Sequence, residues 1–582
     1  MARLTGMLVT VVVALAPAAP AAGVTISPLP GTPDASPRTQ ISFLGVPAGE
    51  ISHVSVVGSR SGAHAGELHP YASAPGASFV PQHGFDEGET VRVSAVIGPA
   101  GHGERAGSSF RVAELAPVRI APMSKRTPKV PAGTVQSFVS APSLKPPAVA
   151  VLTPSASPED VFVAANGAYP QRGPMIFNRA GQLVWFDPAP PGNAAMDLQV
   201  EHYDGQPVLV WWQGDIDYGV GFGTDEIYSS SYRPIGAVHG GNGYSADLHE
   251  VRLTPSGSAF ITAYTLVEAN LSSVGGPSRA ALQDAVVQEI DVKTGLVMFE
   301  WHADGHVPFG DSYWPRPSSP SRPWDYFHVN SISLDPWGDG NFLISSRNTW
   351  AGYEIDHETG RILWRLGGKQ SSFKLGPGTE TAWQHDMRWQ PDHTITVFDN
   401  GDSPQVHPQT RVLQEGIDWA DRTVSLISQD VHTPSLLANS QGSDQLLPDG
   451  DSFVGWGALP YVSEFSPTGE MIFNARLASP GYSYRAFTYP WSGTPAAPPA
   501  LAVHAGTGSA VTAYASWNGA TDVSAWRVLA GPSPAQLTPI ATAPRTGFET
   551  AIALQSGQPD FAVQALDGSG AVLGTSGAVR RG

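Results

Sequence analysis

The sequence predicts an all-β fold, in which a six-bladed β-propeller is flanked by two β-sandwich domains. Three observations support this fold class. Short runs rich in Ile, Leu, Phe, Tyr and Trp recur along the 582 residues and are separated by Gly, Asp or Pro. Charged residues make up only 14% of the chain, whereas Gly (63) and Pro (53) are abundant, which is typical of many short strands and turns. A turn Gly followed four residues later by an aromatic residue recurs at wide intervals.

This Gly-to-aromatic marker defines the propeller between residues 141 and 492. Halving the two longer gaps between markers brings them near the shorter gap, so two further copies are expected, at Glu226–His239 and Arg411–Ile427. Six copies in all predict six blades, although a sandwich array or another blade count is the alternative. The four clear markers are Gly181 with Trp185, Gly295 with Phe299, Gly360 with Trp364, and Gly469 with Phe473.

Residues 325–401 contain the clearest single unit. Three runs, Ser331–Leu334, Asn341–Arg347 and Tyr353–Asp356, are followed by Ile362–Gly367. Four short antiparallel strands in sequence form one propeller blade. Two histidine-containing motifs, HVN at 328–330 and QHD at 384–386, lie where a first strand of such a blade begins.

The flanking regions have different characters. Residues 1–23 combine an early Arg, a short apolar run and small residues, the pattern of a secretory signal peptide, so we expect a secreted, extracellular or periplasmic protein. Residues 24–115 alternate apolar and polar positions, which favours an Ig-like β-sandwich, and 116–140 is a Pro-containing linker. Residues 497–582 resemble a fibronectin type III domain.

Composition excludes several function classes. The formal net charge of −18 argues against general binding to nucleic acid or anionic membranes, which need basic surfaces. With no cysteine there is no disulfide, no thiolate metal site and no thiol catalysis. No segment after the signal is long and apolar enough to span a membrane.

The first strands place several polar residues at one end of the propeller channel. When these strands are aligned by their last apolar residue, His249, Asn330 and His385 fall at the same position. His328 precedes Asn330 by two residues, so regular alternation puts both on one side of the strand. Arg347 ends the second strand of the same blade after a buried-looking run, where a charge needs a partner.

Each of these residues also has a structural interpretation. A histidine on a strand is often only hydrogen-bonded, and Arg347 could pair with Asp386 or Asp399. Asp386 could orient His385 or cap a turn, and Lys369 fits a solvated loop. The Pro-rich loop between Trp314 and Trp324 is stiff enough to overhang the channel.

The residue set favours transfer of an anionic group. No HxH, HExxH or GxSxG spacing and no carboxylate pair is present, so no metal site or serine nucleophile is predicted. A histidine can instead attack sulfur or phosphorus while Arg and Asn donors hold the non-bridging oxygens.

The ordered motifs HVN, SSR, WRLGGK, QHD and FDNG resemble those of the secreted arylsulfotransferase family, over roughly residues 150–490. The resemblance implies sulfuryl transfer from a phenolic sulfate ester to a phenol by a ping-pong route through a sulfated histidine, without a cofactor. It implies that His385 is the nucleophile and that Arg347 and Asn330 bind sulfate, as does His249. His328 also matches a sulfate-site residue, and its position predicts the acid/base role.

Two other function classes remain open at this point. The DHETGRILW repeat resembles the tryptophan-docking motif of quinone-dependent dehydrogenase propellers, which usually have eight blades. A non-catalytic extracellular binding or scaffold protein is the third possibility. The expected partners are a small aryl sulfate and a phenol; the sequence does not predict an oligomeric state.

Overall fold

The computed structural model describes residues 23–117, 133–338 and 340–581. The prediction of an all-β fold is confirmed: within these ranges the regular elements are strands and three short 3-10 helices, Ala48–Glu50, Ser272–Val274 and Phe309–Asp311. None of the helices described is long and apolar enough to cross a bilayer. The predicted signal peptide lies almost wholly outside the described residues, as does most of the predicted linker.

The N-terminal unit consists of two four-stranded sheets, ordered β1-β2-β6-β5 and β4-β3-β7-β8. They share one apolar core, which includes Ile41 and Phe43 from one sheet and Val91 and Val93 from the other. The strands are β1 (Thr25–Ser27), β2 (Ile41–Leu44), β3 (Ile51–Gly58), β4 (Gly62–His64), β5 (Gly66–Pro70), β6 (Gly76–Pro81), β7 (Thr90–Ile97) and β8 (Glu104–Arg111).

Six sheets follow in the described chain between residues 149 and 489, and we call them the sheet ring. Strand β9 (Val149–Thr153) joins the last of them. Sheet one contains β10 (Asp160–Gly167), β11 (Gly173–Phe177), β12 (Leu183–Phe186) and β34 (Gly481–Tyr489). Sheet two contains β13 (Ala194–Tyr203), β14 (Gln206–Asp217), β15 (Val220–Ser229) and β16 (Pro234–Val238). Sheet three contains β17 (Val251–Leu253), β18 (Ser258–Ala269), β19 (Ala280–Asp291) and β20 (Val297–His302).

The second half of the ring continues in the same way. Sheet four contains β21 (Val329–Leu334), β22 (Phe342–Ser346), β23 (Ala351–Ile355) and β24 (Ile362–Gly367). Sheet five contains β25 (Lys374–Leu375), β26 (His385–Trp389), β27 (Thr394–Asp399), β28 (Arg411–Asp418) and β29 (Thr423–Asp430). Sheet six contains β30 (Ser443–Leu446), β31 (Ser452–Gly455), β32 (Tyr461–Phe465), β33 (Met471–Leu477) and the early strand β9.

One edge strand of each sheet contacts its counterparts in the two neighbouring sheets, in the closed order β34, β13, β17, β21, β26, β30 and back to β34. Sheet one closes the circle, because β34 comes from the far end of the ring and pairs with β10. Strands distant in sequence therefore meet at the centre of the ring.

The marker glycines make the turns that lead into outer strands. Gly360 has a φ of 69°, a left-handed conformation that glycine adopts without steric cost. Trp364, four residues later, lies in β24 and packs against Phe373 and Trp389 of sheet five. The aromatic residue thus joins one sheet to the next, as the repeat predicted.

A C-terminal unit follows the ring. It has a three-stranded sheet, β35-β36-β39, and a second sheet ordered β38-β37-β40-β41, with β42 also paired to β40. One core, which includes Val511, Trp526 and Phe561, joins the two sheets. The strands are β35 (Ala500–Ala505), β36 (Ala510–Ser516), β37 (Ala525–Gly531), β38 (Thr538–Pro544), β39 (Glu549–Gln555), β40 (Asp560–Leu566), β41 (Val572–Thr575) and β42 (Val579–Arg580).

Candidate active site

Arg347 is a buried cation that forms no ion pair with a carboxylate of the described residues. It follows β22 and is 9% exposed. Its Nη1 donates to Asn348 Oδ1 at 2.9 Å and its Nη2 to the Asn439 carbonyl oxygen at 3.4 Å. Among the described residues no Asp or Glu forms an ion pair with it, and burial lowers its pKa to about 10 despite the charges of Asp325 and Asp402. A guanidinium held this way is suited to an incoming anion.

The alternative ion pairs considered for Arg347 are not formed. Asp386 accepts from Arg388 at 2.7 Å and lies 3.3 Å from Arg485 Nε. Asp399 accepts from Arg411 Nε at 2.8 Å and lies 2.7 Å from His407 Nδ1. Both carboxylates are therefore engaged by other cationic or imidazole groups.

His385 begins β26 and is 1% exposed. Its Nδ1 lies 2.7 Å from Asn400 Oδ1, and its Nε2 accepts the Gln441 backbone N–H at 3.1 Å. Because an amide oxygen can only accept, Nδ1 carries the hydrogen and Nε2 carries the lone pair. Burial, followed by the positive charge of Arg347, holds the pKa of His385 well below its usual range. The ring is therefore neutral at pH 7 and nucleophilic at Nε2.

Asn330 lies in β21 and is fully buried. Its Nδ2 donates to the Gln384 carbonyl oxygen at 2.7 Å, immediately before His385 in the chain. Its own carbonyl oxygen accepts from Arg485 Nη2 at 2.8 Å and from the Tyr484 hydroxyl at 3.2 Å. Asn330 thus links sheet four to the strand of His385.

His249 and His328 form a pair of perpendicular rings with centroids 4.7 Å apart. Each Nδ1 lies 2.5 Å from a carboxylate oxygen, that of Asp247 for His249 and that of Asp325 for His328. Burial lowers the pKa of His328, and the charge of Asp325 opposes this shift. Both histidines and Arg347 act electrostatically on His385, so the residues selected from the sequence share one environment.

The prediction that regular strand alternation places His328 and Asn330 on one side of β21 is wrong. His328 precedes β21 and has a φ of 57°, and the pairing register shifts between Val329 and Ser331. Simple alternation therefore does not run through this segment. His249 likewise lies before its strand, which begins at Val251. The imidazoles come together through irregular backbone rather than through strand pleating.

Aromatic side chains cover Arg347. Its guanidinium lies 5.0 Å from the Trp383 ring centroid and 5.7 Å from that of Trp314. Trp350 packs edge-on against Trp383 and stacks on Tyr313 at 3.7 Å. The segment that follows β20 therefore brings Trp314 over the arginine. Trp314 and Trp350 are half-buried, whereas Trp383 is fully buried, so the two partly exposed rings present an apolar surface beside the arginine.

Three features of the site were not identified from the sequence. Asn400 belongs to the quoted FDNG motif, yet no role was assigned to it. Its Nδ2 donates to the carbonyl oxygens of Ala438 and Gln441, both at 2.9 Å, so one side chain fixes His385 and the 438–441 loop together. The contact from the backbone N–H of Gln441 to His385 could not be predicted, because a backbone group is present at every position and is not encoded by a residue type. Trp383 lies immediately before QHD and could have been noticed from that position.

Two other residues have roles outside the site chemistry. Asp386, with a φ of 52°, accepts the Asp444 N–H and faces Arg388 and Arg485, so it does not orient His385. Lys369 donates to the carbonyl oxygens of Gly310 and Ser312 and lies over Tyr313. The lysine therefore ties two loops together.

Comparison with known proteins shows a similarity to one family. Residues 199–478 match the family model described as Arylsulfotransferase (ASST). That segment contains all five site residues predicted from the sequence. No curated protein matches the chain.

Solved structures show only distant likenesses. A protein of unknown function from Bacteroides caccae is 12% identical, with 57% of this chain and 99% of that chain covered and a TM-score of 0.35. The dihydro-heme d1 dehydrogenase NirN is 11% identical, with 58% and 79% covered and a TM-score of 0.27. A mutant of the NanB sialidase from Streptococcus pneumoniae is 7% identical, with 77% and 68% covered and a TM-score of 0.23.

Proposed function

Residues 199–478 belong to the arylsulfotransferase family, and from that premise we propose that the protein transfers a sulfuryl group from a phenolic sulfate ester to a phenol through a sulfated His385. The observation that carries this proposal is the contrast at the site between a neutral histidine and an unpaired buried arginine. His385 supplies a lone pair, and Arg347 supplies a fixed positive charge for the sulfuryl oxygens.

In the first half-reaction, His385 Nε2 attacks sulfur. The Nε2–S bond forms as the bond between sulfur and the aryl oxygen breaks, and the electron pair leaves with the phenolate. The Gln441 N–H that contacts Nε2 in the resting structure must give way to the sulfuryl group. Arg347 then holds non-bridging oxygens, and the half-buried Trp314 packs against the departing ring.

Asn400 keeps the intermediate reactive. Once Nε2 carries the sulfuryl group, the ring is cationic and Nδ1 still bears its hydrogen. An amide oxygen accepts this hydrogen bond but is too weak a base to remove the proton. The sulfated ring therefore remains a good leaving group, and the phenol oxygen can displace it at sulfur.

His328 moves the proton in both halves of the reaction. The leaving phenolate needs a proton, and the incoming phenol must lose one. A histidine can serve as acid and then as base. Asp325 accepts a hydrogen bond from Nδ1 of His328, so Nε2 is the atom available to substrate. His249, held by Asp247 in the same way, supports the His328 ring at 4.7 Å.

The surrounding architecture is part of the proposal. The closed circle of strand contacts supports a six-bladed propeller, and the paired sheets at each end support Ig-like and fibronectin type III-like sandwiches over residues 24–115 and 497–582. Residues 1–23 direct secretion. N-terminal sequencing of the exported protein tests this, because cleavage should occur near residue 23.

The decisive experiment follows nitrophenol release from nitrophenyl sulfate, with and without added phenol. We expect release that depends on the acceptor, and a mass increase of one sulfuryl group on the peptide containing His385 when the acceptor is omitted. His385→Asn should reduce both signals to background. His432→Gln, a buried histidine outside the site, is the matched control. Retained turnover or labelling in His385→Asn would contradict the proposed nucleophile.

A further inference from the structure

A second polar cluster lies where the N-terminal unit meets sheet three. We call it the His302 cluster: Asp34, Asp284, Glu300 and His302. None of its members belongs to the proposed sulfuryl-transfer site. Asp34 comes from the segment between β1 and β2, whereas the other three come from β19 and β20. The Asp34 side chain is 6% exposed and the others are more deeply buried.

Two carboxylates approach the same imidazole nitrogen. His302 Nδ1 lies 3.0 Å from Asp284 Oδ2 and 3.1 Å from Asp34 Oδ1. One N–H can point along only one of these directions, and neither Asp34 oxygen has a hydrogen-bond partner. Leaving a buried carboxylate without a partner is costly. The three facing atoms are close enough to share one ion, since they lie within 4.8 Å of one another.

The opposite sides of these ligands are already held in place. His302 Nε2 lies 3.0 Å from Glu300 Oε1, and the other oxygen of Glu300 accepts from Gln288 and Asn242. Asp284 Oδ1 accepts the Asp304 N–H at 2.8 Å. A histidine whose second nitrogen faces a carboxylate is the usual arrangement behind a metal ligand, because it fixes the ring and increases its basicity.

The charge balance also calls for a cation. Three carboxylates surround one imidazole, and among the described residues no Lys or Arg forms an ion pair with any of them. The Tyr244 hydroxyl, which senses the same charges, is also buried without a hydrogen-bond partner. Tyr244 and Gln283, the latter next to Asp284 in the chain, line a surface cavity of about 410 Å³.

We propose that Asp34, Asp284 and His302 bind a divalent first-row transition-metal ion of the Zn²⁺ or Mn²⁺ class. His302 Nδ1 lies about 3 Å from each of the two carboxylate oxygens, and all three atoms lie within 4.8 Å of one another, which suits an ion about 2.1 Å from each. The imidazole disfavours Ca²⁺, which takes oxygen ligands. Because Asp34 belongs to the N-terminal unit, the ion fastens that unit to the ring. Hydrogen bonds from Ser42 and Ser78 to sheet three carbonyls mark the same interface.

The test measures metal content and thermal stability on the full chain. After chelation and dialysis, the wild-type protein is titrated with Zn²⁺, Mn²⁺ or Ca²⁺ and analysed by elemental mass spectrometry and thermal unfolding. We expect about one Zn²⁺ or Mn²⁺ per chain and a rise in Tm of about 3 °C or more at saturation. Ca²⁺ should produce neither effect.

Variants identify the ligands. Asp34→Asn and His302→Gln should weaken metal binding by at least about 100-fold and lose the Tm increase. His357→Gln, which breaks a partly buried contact to the single carboxylate of Glu289, is the control and should bind metal like the wild type. Chelation and re-addition on the wild type give an answer even if a variant misfolds. Absence of binding and of a Tm change would overturn the proposal and leave protons to balance the cluster, and undiminished binding by Asp34→Asn would overturn it equally.

Discussion

Two buried arginines of the sheet ring have different kinds of partner. Arg485, at the centre of the ring, faces Asp197 at 2.9 Å, Glu250 at 3.1 Å and Asp386 at 3.3 Å. Among the described residues, the partners of Arg347, at the histidine site, are amide and carbonyl acceptors and the faces of two indoles. Both side chains are buried, so the difference lies in their partners and not in their depth.

The partners of Arg485 come from around the ring. Asp197 lies in β13, Asp386 in β26 and Glu250 just before β17, while the carbonyl oxygen of Asn330 in β21 accepts from Nη2. The central arginine therefore ties first strands to one another. Arg347 forms few contacts with other strands of the described ring, so under the proposed function its charge is available to a substrate. The same residue type holds the fold together in one place and, under the proposed function, binds the substrate anion in the other.

The largest effect should come from removing the central arginine. Arg485→Met leaves three buried carboxylates short of a cation, which typically costs about 3–5 kcal/mol. We expect insoluble protein or a sharply lowered midpoint of urea denaturation. Tryptophan fluorescence measures this unfolding transition. Arg347→Met orphans no carboxylate and should change stability by less than about 1 kcal/mol. Equal destabilisation by the two substitutions would remove the distinction.

Arg347→Lys should damage activity but spare the fold. Lysine keeps the charge and loses the planar fork that grips two oxygens, and losing one such contact in the transition state costs about 3 kcal/mol, or roughly a hundredfold in rate. The measurement is kcat/KM for acceptor-dependent transfer, with Tm as the control. A rate within a few-fold of wild type would mean that Arg347 does not contact the sulfuryl group.

His328→Ala should have an effect that depends on the donor. Nitrophenolate leaves readily without a proton, whereas an unsubstituted phenolate does not, so we expect the loss of rate to be at least about tenfold greater for phenyl sulfate. Single-turnover labelling of His385 with each donor isolates this step. Equal losses would assign His328 to sulfate binding alone and move the proton transfer to His249 or to solvent.

The smallest effect concerns pH. The neutral form of His385 is the proposed nucleophile, and burial together with Arg347 depresses its pKa. Wild-type activity should therefore persist as pH falls through 6.5, the ordinary pKa of histidine. Asn400→Asp places a carboxylate beside Nδ1 of His385. The negative charge favours the imidazolium form of His385, so the midpoint of the acid limb should rise by about one pH unit or more. The profile of kcat/KM against pH measures this, and an unmoved midpoint would show that Asn400 does not set the titration of His385.

The sequence by itself determined the all-β fold class and the motifs that carry the family resemblance. Turn glycines such as Gly360, followed at a set distance by an aromatic, encode hairpins locally, because φ above zero and the packing of a large ring are properties of a few neighbouring residues. The four runs in 331–367 correspond closely to β21–β24. The ordered motifs around His328, Arg347 and His385 carried the family resemblance, which the match over 199–478 confirms.

Only the tertiary structure decided which partners each residue has. Asp386 is adjacent to His385 in sequence, yet it turns to Arg388 and Arg485, while Asn400, fifteen residues on, reaches His385. Left-handed backbone at His328 and Asp386 breaks the alternation from which side-chain direction was inferred. The state of Arg347 depends on the absence of a carboxylate partner among strands drawn together from across the described ring. Such an absence has no local sequence signal, because it is a property of side chains that become neighbours only after the ring closes.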